Sequence, residues 1–157
     1  MSVPDRVLAV ALALCAGAAH AEDGGPSPTR VLDAPQRFEF GLYGTRPEEG
    51  DDALTVGLAY HYRLSPVFAV GARAEYAGGD LDSWVLGAPL TAHFGEGWEF
   101  VAMPGAEISD GEIKGLLRLG FGYVFEFNSF GLKPEAFADI VDGETRYGLG
   151  ASVVFGF

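Results

Sequence analysis

Read at a period of two, the chain from residue 38 onward keeps its charges apart from its large apolar side chains. From Phe38 to Phe157, eight stretches of 7 to 15 residues alternate, and one parity carries no charged residue. In one stretch that parity reads Leu54, Val56, Leu58, Tyr60, Tyr62, Leu64, set against Thr55, Gly57, Ala59, His61 and Arg63. The last stretch repeats it: Tyr147, Leu149, Ala151, Val153, Phe155 and Phe157 against Arg146, Gly148, Gly150, Ser152, Val154 and Gly156. Side chains of a strand point alternately to opposite faces, so each stretch has one apolar face and one polar, glycine-rich face.

The alternation predicts strands over 37–43, 54–64, 67–76, 83–94, 98–108, 113–127, 130–141 and 145–157. Ser65-Pro66, Gly95-Glu96-Gly97 and Asn128-Ser129 read as tight hairpin turns. They alternate with the longer connections Gly44 to Ala53, Ala77 to Asp82 and Ser109 to Glu112; Asp142-Gly143-Glu144 shares their position but is short. An even strand count with alternating loop lengths puts both termini at the short-turn end. Pro89, Pro104 and Pro134 fall inside proposed strands. A closed sheet has no edge on which to place a missing N–H, so a bulge or break is expected near at least one, with parity able to reverse beyond it.

The charge census gives the two faces their meaning. Seven cations (Arg37, Arg63, Arg73, Lys114, Arg118, Lys133, Arg146) and seven acids (Glu39, Glu75, Glu99, Glu107, Glu126, Glu135, Asp139) share the polar parity. Apolar-parity aromatics gather near the short-turn end (Phe38, Tyr62, Phe68, Phe94, Trp98, Phe100, Phe125, Phe127, Phe130, Phe155, Phe157), with Tyr76, Trp84 and Tyr147 at the other. Aromatic girdles flanking an uncharged band are what a membrane interface selects. The chain therefore reads as all-β: an eight-stranded antiparallel up-and-down transmembrane barrel with ion pairs inside. No segment shows a helical period or a helical span, and a closed barrel is the other backbone that leaves nothing unpaired in hydrocarbon.

Residues 1–21 read as an export signal: a weakly basic start, an apolar run from Val7 to Gly17, and Ala19-His20-Ala21 as a small-residue cleavage site. The apolar run is shorter than the ~20 residues of a helical span. Residues 22–35, rich in Gly, Pro and charge, read as a flexible periplasmic leader, and 36–157 as the barrel. Cys15, the single cysteine, lies in the signal, which excludes disulfide and thiolate chemistry after cleavage at Ala21.

With these features the chain resembles the small eight-stranded bacterial outer-membrane barrels of the OmpA- and OmpX-like superfamily. The likeness covers the chain after the signal and is one of pattern. It implies the outer membrane of a Gram-negative bacterium, outer-membrane lipid as surroundings, and recognition of the last strand by the barrel-assembly machinery. Tyr147, Val153, Phe155 and Phe157 match that assembly signal; Ser152 stands where the pattern commonly has Gly.

Eight strands leave an interior just wide enough for side chains to fill, so the inward charges read first as a plug of ion pairs. A narrow channel for small solutes is the rival. A soluble lipocalin-like carrier, with the faces inverted around an apolar ligand, is a second. His61 and His93 face inward with Glu99 nearby, but no ligand spacing supports a metal, and no residue pattern calls for a cofactor. No inward histidine is followed by a hydroxyl in a His-x-Ser arrangement, since His93 is followed by Phe94 and Gly95, which argues against an enzyme. The outer loops hold Glu48, Glu49, Asp51, Asp52, Asp80, Asp82, Asp110, Glu112, Asp142 and Glu144 against Arg46 alone, a rim suited to weak capture of divalent cations. A net charge of −12 disfavours nucleic acid. The expected role is structural or surface-interacting, in the cell envelope.

Overall fold

The computed structural model describes residues 30–46, 52–79 and 81–157, so the proposed signal, Glu48, Glu49, Asp51 and Asp80 lie outside the described residues. Ten strands follow in order: β1 (Gln36–Arg46), β2 (Ala53–Arg63), β3 (Phe68–Ala77), β4 (Ser83–Gly87), β5 (Leu90–Phe94), β6 (Trp98–Ser109), β7 (Glu112–Tyr123), β8 (Phe125–Glu126), β9 (Gly131–Val141) and β10 (Glu144–Gly156). Each pairs antiparallel with the next around the sheet. β10 pairs with both β9 and β1, which closes the ring. β4 with β5, and β7 with β8, each occupy one place in it. The architecture is an eight-stranded up-and-down barrel.

The two interruptions lie beside the prolines. β4 and β5 are separated by Ala88-Pro89, and Pro104 of β6 lies across from Ala88, accepting its N–H at 3.0 Å. β7 and β8 are separated by Val124, next to Pro134 on β9. A proline has no N–H to return to its neighbour, and the ladder lapses there. Nothing slips, however. Gly87 pairs with Gly105 before the first gap and Leu90 with Ala102 after it; Gly122 pairs with Glu135 and Phe125 with Leu132 around the second. The breaks therefore cost hydrogen bonds but do not reverse the parity.

Loop lengths differ from expectation. Asp110-Gly111 and Asp142-Gly143 are two-residue hairpin turns with both residues at positive φ, the mirror-image turn that matches strand twist. The opposite end has three- and four-residue connections. The loops at 47–52 and 78–82 alone are longer, so loop length does not distinguish the two ends; the short-turn end of the sequence reading is the one where β1 begins and β10 ends.

Arg118 and Glu75 are buried to 2% and 1% exposure, whereas Leu58 and Phe121 are 39% and 46% exposed. That orientation rules out the inverted, lipocalin-like arrangement. Large inward side chains are seated against glycines. A Cβ on Gly41 would collide with Tyr43, one on Gly148 with Phe137, and one on Gly87 would lie 2.6 Å from the Met103 sulfur. The lumen is not wholly polar: Val85, Val101, Met103, Leu116 and Val141 form an apolar wedge along one wall.

Leu119, at mid-strand on the outer face between Ala102 and Ala138, tests the surroundings of that face. Leu119→Arg is expected to destabilise the barrel in lipid vesicles by about 2–4 kcal/mol in a urea titration. An unchanged midpoint would place this face in water.

Candidate functional site: the lumen and its short-turn floor

Because inward parity is kept around the ring, charged side chains from strands far apart in the sheet converge on the axis. Near the short-turn end, Arg37 on β1 donates to Glu99 on β6 at 2.6 Å. Those strands stand diametrically opposite in the ring. Lys133 on β9 reaches Glu39 at 2.6 Å, Glu135 at 3.0 Å and Glu99 at 3.4 Å. At mid-height Arg73 on β3 donates to Glu135 on β9, again across the full diameter, at 2.8 Å. It also donates to the Tyr43 hydroxyl at 2.8 Å and lies 3.2 Å from Glu75.

Arg118 makes the most complete contact. Its guanidinium forks onto Asp139 at 2.6 and 2.7 Å, donates to Glu75 at 2.8 Å, and lies 3.7 Å above the Phe137 ring. Forked pairing of this kind fixes geometry as well as charge. Nearer the outer end Arg146 pairs with Glu107. All these groups are buried, where an unpaired charge would cost several kcal/mol.

Three residues of the inward set stand apart from this lattice. Lys114 is half-buried at the outer end, with no carboxylate within ion-pair distance among the described residues. Arg63 and Glu126 sit at the short-turn rim and bind the chain just before β1. Glu126 accepts from Arg30 at 2.6 Å and from the Leu32 N–H at 2.7 Å. Arg63 donates to the Leu32 carbonyl and, at 3.0 Å, to the Pro66 carbonyl. Residues 30–35, the end of the expected flexible leader, thus form a turn folded across the mouth. Val31 and Ala34 are buried to 3% and 2% exposure. Gly156 admits them, since a Cβ there would come within 2.6 Å of the Ala34 methyl. Beneath the turn, between Leu32, Pro35, Arg37 and His93, no water-sized space remains.

The histidines do not meet as a metal pair. His61 Nε2 lies 3.4 Å from Glu39, and His93 Nδ1 lies 3.2 Å from Glu99. Among the described residues no cluster of three metal-ligating side chains occurs. Thr91 Oγ lies 3.5 Å from His61 Nδ1, so a hydroxyl, an imidazole and a carboxylate follow one another across strands. The Thr91 hydroxyl is wholly buried in the lumen.

The acids of the outer end are dispersed. Asp52 is held by Arg46 through two bonds of 2.7 Å, and that guanidinium keeps its carboxyl below the usual range. Asp82 accepts from Tyr76 at 2.6 Å, Asp110 and Asp142 occupy hairpin turns, and Glu112 and Glu144 are exposed. In the last strand Tyr147 and Phe157 are exposed on the outer face while Val153 and Phe155 are half-covered; Phe157 stacks on Phe38 at 5.6 Å.

Tyr43, Phe137, Met103 and the turn at 30–35 were not singled out from sequence. The first three carry the inward parity, and the glycines facing them were the available sign. Nothing local in residues 30–35 reports that they will dock.

The sequence matches no family model and no curated protein. Solved structures match in shape. A de novo designed transmembrane β-barrel superposes with a TM-score of 0.53 at 14% identity, over 87% of this chain and 100% of that one. Neisserial surface protein A gives 0.56 at 11%, over 78% and 96%. The Yersinia pestis outer-membrane protein Ail, in a phospholipid bilayer nanodisc, gives 0.55 at 12%, over 78% and 99%. At such identities the likeness is one of fold: the eight-stranded transmembrane barrel.

Two outcomes follow from the geometry. Removing both carboxylates from Arg118, in Glu75→Ala with Asp139→Ala, is expected to lower stability by about 3–5 kcal/mol in a urea titration, because a buried cation is left unpaired. Glu126→Ala is expected to speed hydrogen exchange at the Leu32 amide at least tenfold without changing that of β6, read by mass spectrometry; equal protection would mean that Glu126 does not hold the turn.

Proposed function

We propose that the chain is an exported outer-membrane barrel with a plugged lumen and a structural or surface-interaction role in the cell envelope. The observation that carries the plug is the pair of contacts spanning the full diameter, Arg37 to Glu99 and Arg73 to Glu135. Ions could pass only by breaking buried, paired charges, which is costly in so narrow a lumen. The turn at 30–35 adds a second closure at the short-turn mouth.

The rest of the reading follows the fold. Residues 1–21 direct export and are removed after Ala21. Residues 22–35 form a periplasmic leader, and 36–157 insert as the barrel. The last strand, with Tyr147, Val153, Phe155 and Phe157, is the element the barrel-assembly machinery recognises. Lipid covers the uncharged face, and structural kinship to a barrel studied in a phospholipid nanodisc supports this. Glu48, Glu49, Asp51 and Asp52 gather divalent cations weakly at the outer rim. No catalysis, cofactor or nucleic acid enters the reading.

Planar-bilayer recording of the refolded barrel tests the plug. The expected result is an absence of unitary steps. Stable steps whose size changes in Arg73→Met with Glu135→Met would instead establish the narrow channel.

A further inference from the structure

Among the described residues, the outer face of the barrel carries an open depression beside its aromatic side chains. A groove of about 610 Å³ runs along β9, floored by Pro134 and Ala136. Its floor is low because β9 presents two small groups where neighbouring strands present large ones. One wall is a continuous aromatic ladder: Trp98 stacks on Phe121 at 4.8 Å and meets Tyr123 edge-on at 4.8 Å, and Tyr123 meets Phe125 at 4.7 Å. Leu149 of β10 forms the other wall. The same place is where the ladder lapses. Tyr123 lies in register with Pro134, which has no N–H to give the Tyr123 carbonyl.

We propose that this groove holds one acyl chain of a phospholipid from the leaflet at the short-turn end, more firmly than the rest of the surface holds its lipid neighbours. The inference rests on the membrane reading above. Its dimensions select the occupant. From Phe121 to Phe125 the groove extends about 13 Å at ~3.3 Å per residue. One leaflet of a ~30 Å hydrocarbon core is about 15 Å deep. Nine residues line it, whereas a protein partner or second copy needs ~20–30 on each side. No outward side chain on β6 to β10 is charged, so nothing selects a polar ligand within the groove. Trp98 and Tyr123 carry the polar tips that aromatic residues turn toward the headgroup level.

The chain has two tryptophans, and Trp84 stands at the opposite end of the barrel on β4, so Trp84→Phe leaves Trp98 as the sole reporter. The probe is a phospholipid with brominated chains, a contact quencher, mixed as a minor fraction into micelles of an unbrominated detergent, so that a site holding a phospholipid chain gathers the probe above its mixing fraction. The expected quenching exceeds that of a random neighbourhood, corresponding to about tenfold preference or ~1.4 kcal/mol. Filling the groove with Ala136→Phe, or Ala136→Leu should the first fail to give heat-modifiable migration, is expected to return quenching to the random value. Quenching that follows the brominated fraction from the start, or that survives filling, overturns the site but leaves the membrane reading intact. No quenching at any fraction overturns the membrane reading itself. Loss of a crosslinked dimer on filling would assign the groove to a second copy and likewise overturn the proposal.

Discussion

The narrowness of the eight-stranded ring governs the rest of the molecule. Closing so few strands leaves a lumen that side chains alone can fill, so every charge placed inside must find its opposite inside. The chain meets this with contacts that reach across the axis. Arg73 on β3 meets Glu135 on β9, and Arg37 on β1 meets Glu99 on β6, so each joins opposite walls of the ring. These contacts cannot form until the barrel has closed. They connect side-chain chemistry to topology, since the same residues in a slipped register would turn Arg73 and Glu135 outward.

Space inside is allotted by pairing bulk with absence. Tyr43 occupies room left by Gly41 and Gly150, Phe137 lies over Gly148, and Met103 over Gly87. The glycine-rich inward parity is thus a packing device, and Phe137 in turn supplies the face on which the Arg118 guanidinium rests. The apolar wedge of Val85, Val101, Met103, Leu116 and Val141 fills the sector that the ion pairs leave. Pro104 and Pro134 on the outer face and Pro89 on the inner face interrupt the ladder without shifting it, because the strands on both sides of each gap keep their register.

Fold class, strand number and the facing of nearly every side chain were legible in the sequence, because a period of two survives any amount of loop variation. The inward membership of Arg118, Glu75 and Asp139 followed from parity alone. Which cation meets which acid did not, since partners such as Lys133 and Glu39 are separated by strand placement around a ring, not by any interval along the chain. Arg63 and Glu126 have the inward parity but sit at the rim, where they bind residues 30–35; parity fixes a side of the sheet, not a height or a partner. The short Asp-Gly hairpins misled the reading of loop lengths, because Ser109 and Glu112 belong to the strands and not to the loop between them.

The account stands on the outer face of the barrel meeting hydrocarbon while the inner face is sealed from both lipid and water. A nitroxide scan along β7, from Lys114 to Tyr123 in lipid vesicles, measures both properties at once. Oxygen accessibility should rise and fall with a period of two, high at Leu117, Leu119 and Phe121 and low at Leu116, Arg118 and Gly120, with water-soluble relaxers excluded from all six. Free access of a water-soluble relaxer to Leu117, Leu119 and Phe121 would contradict it.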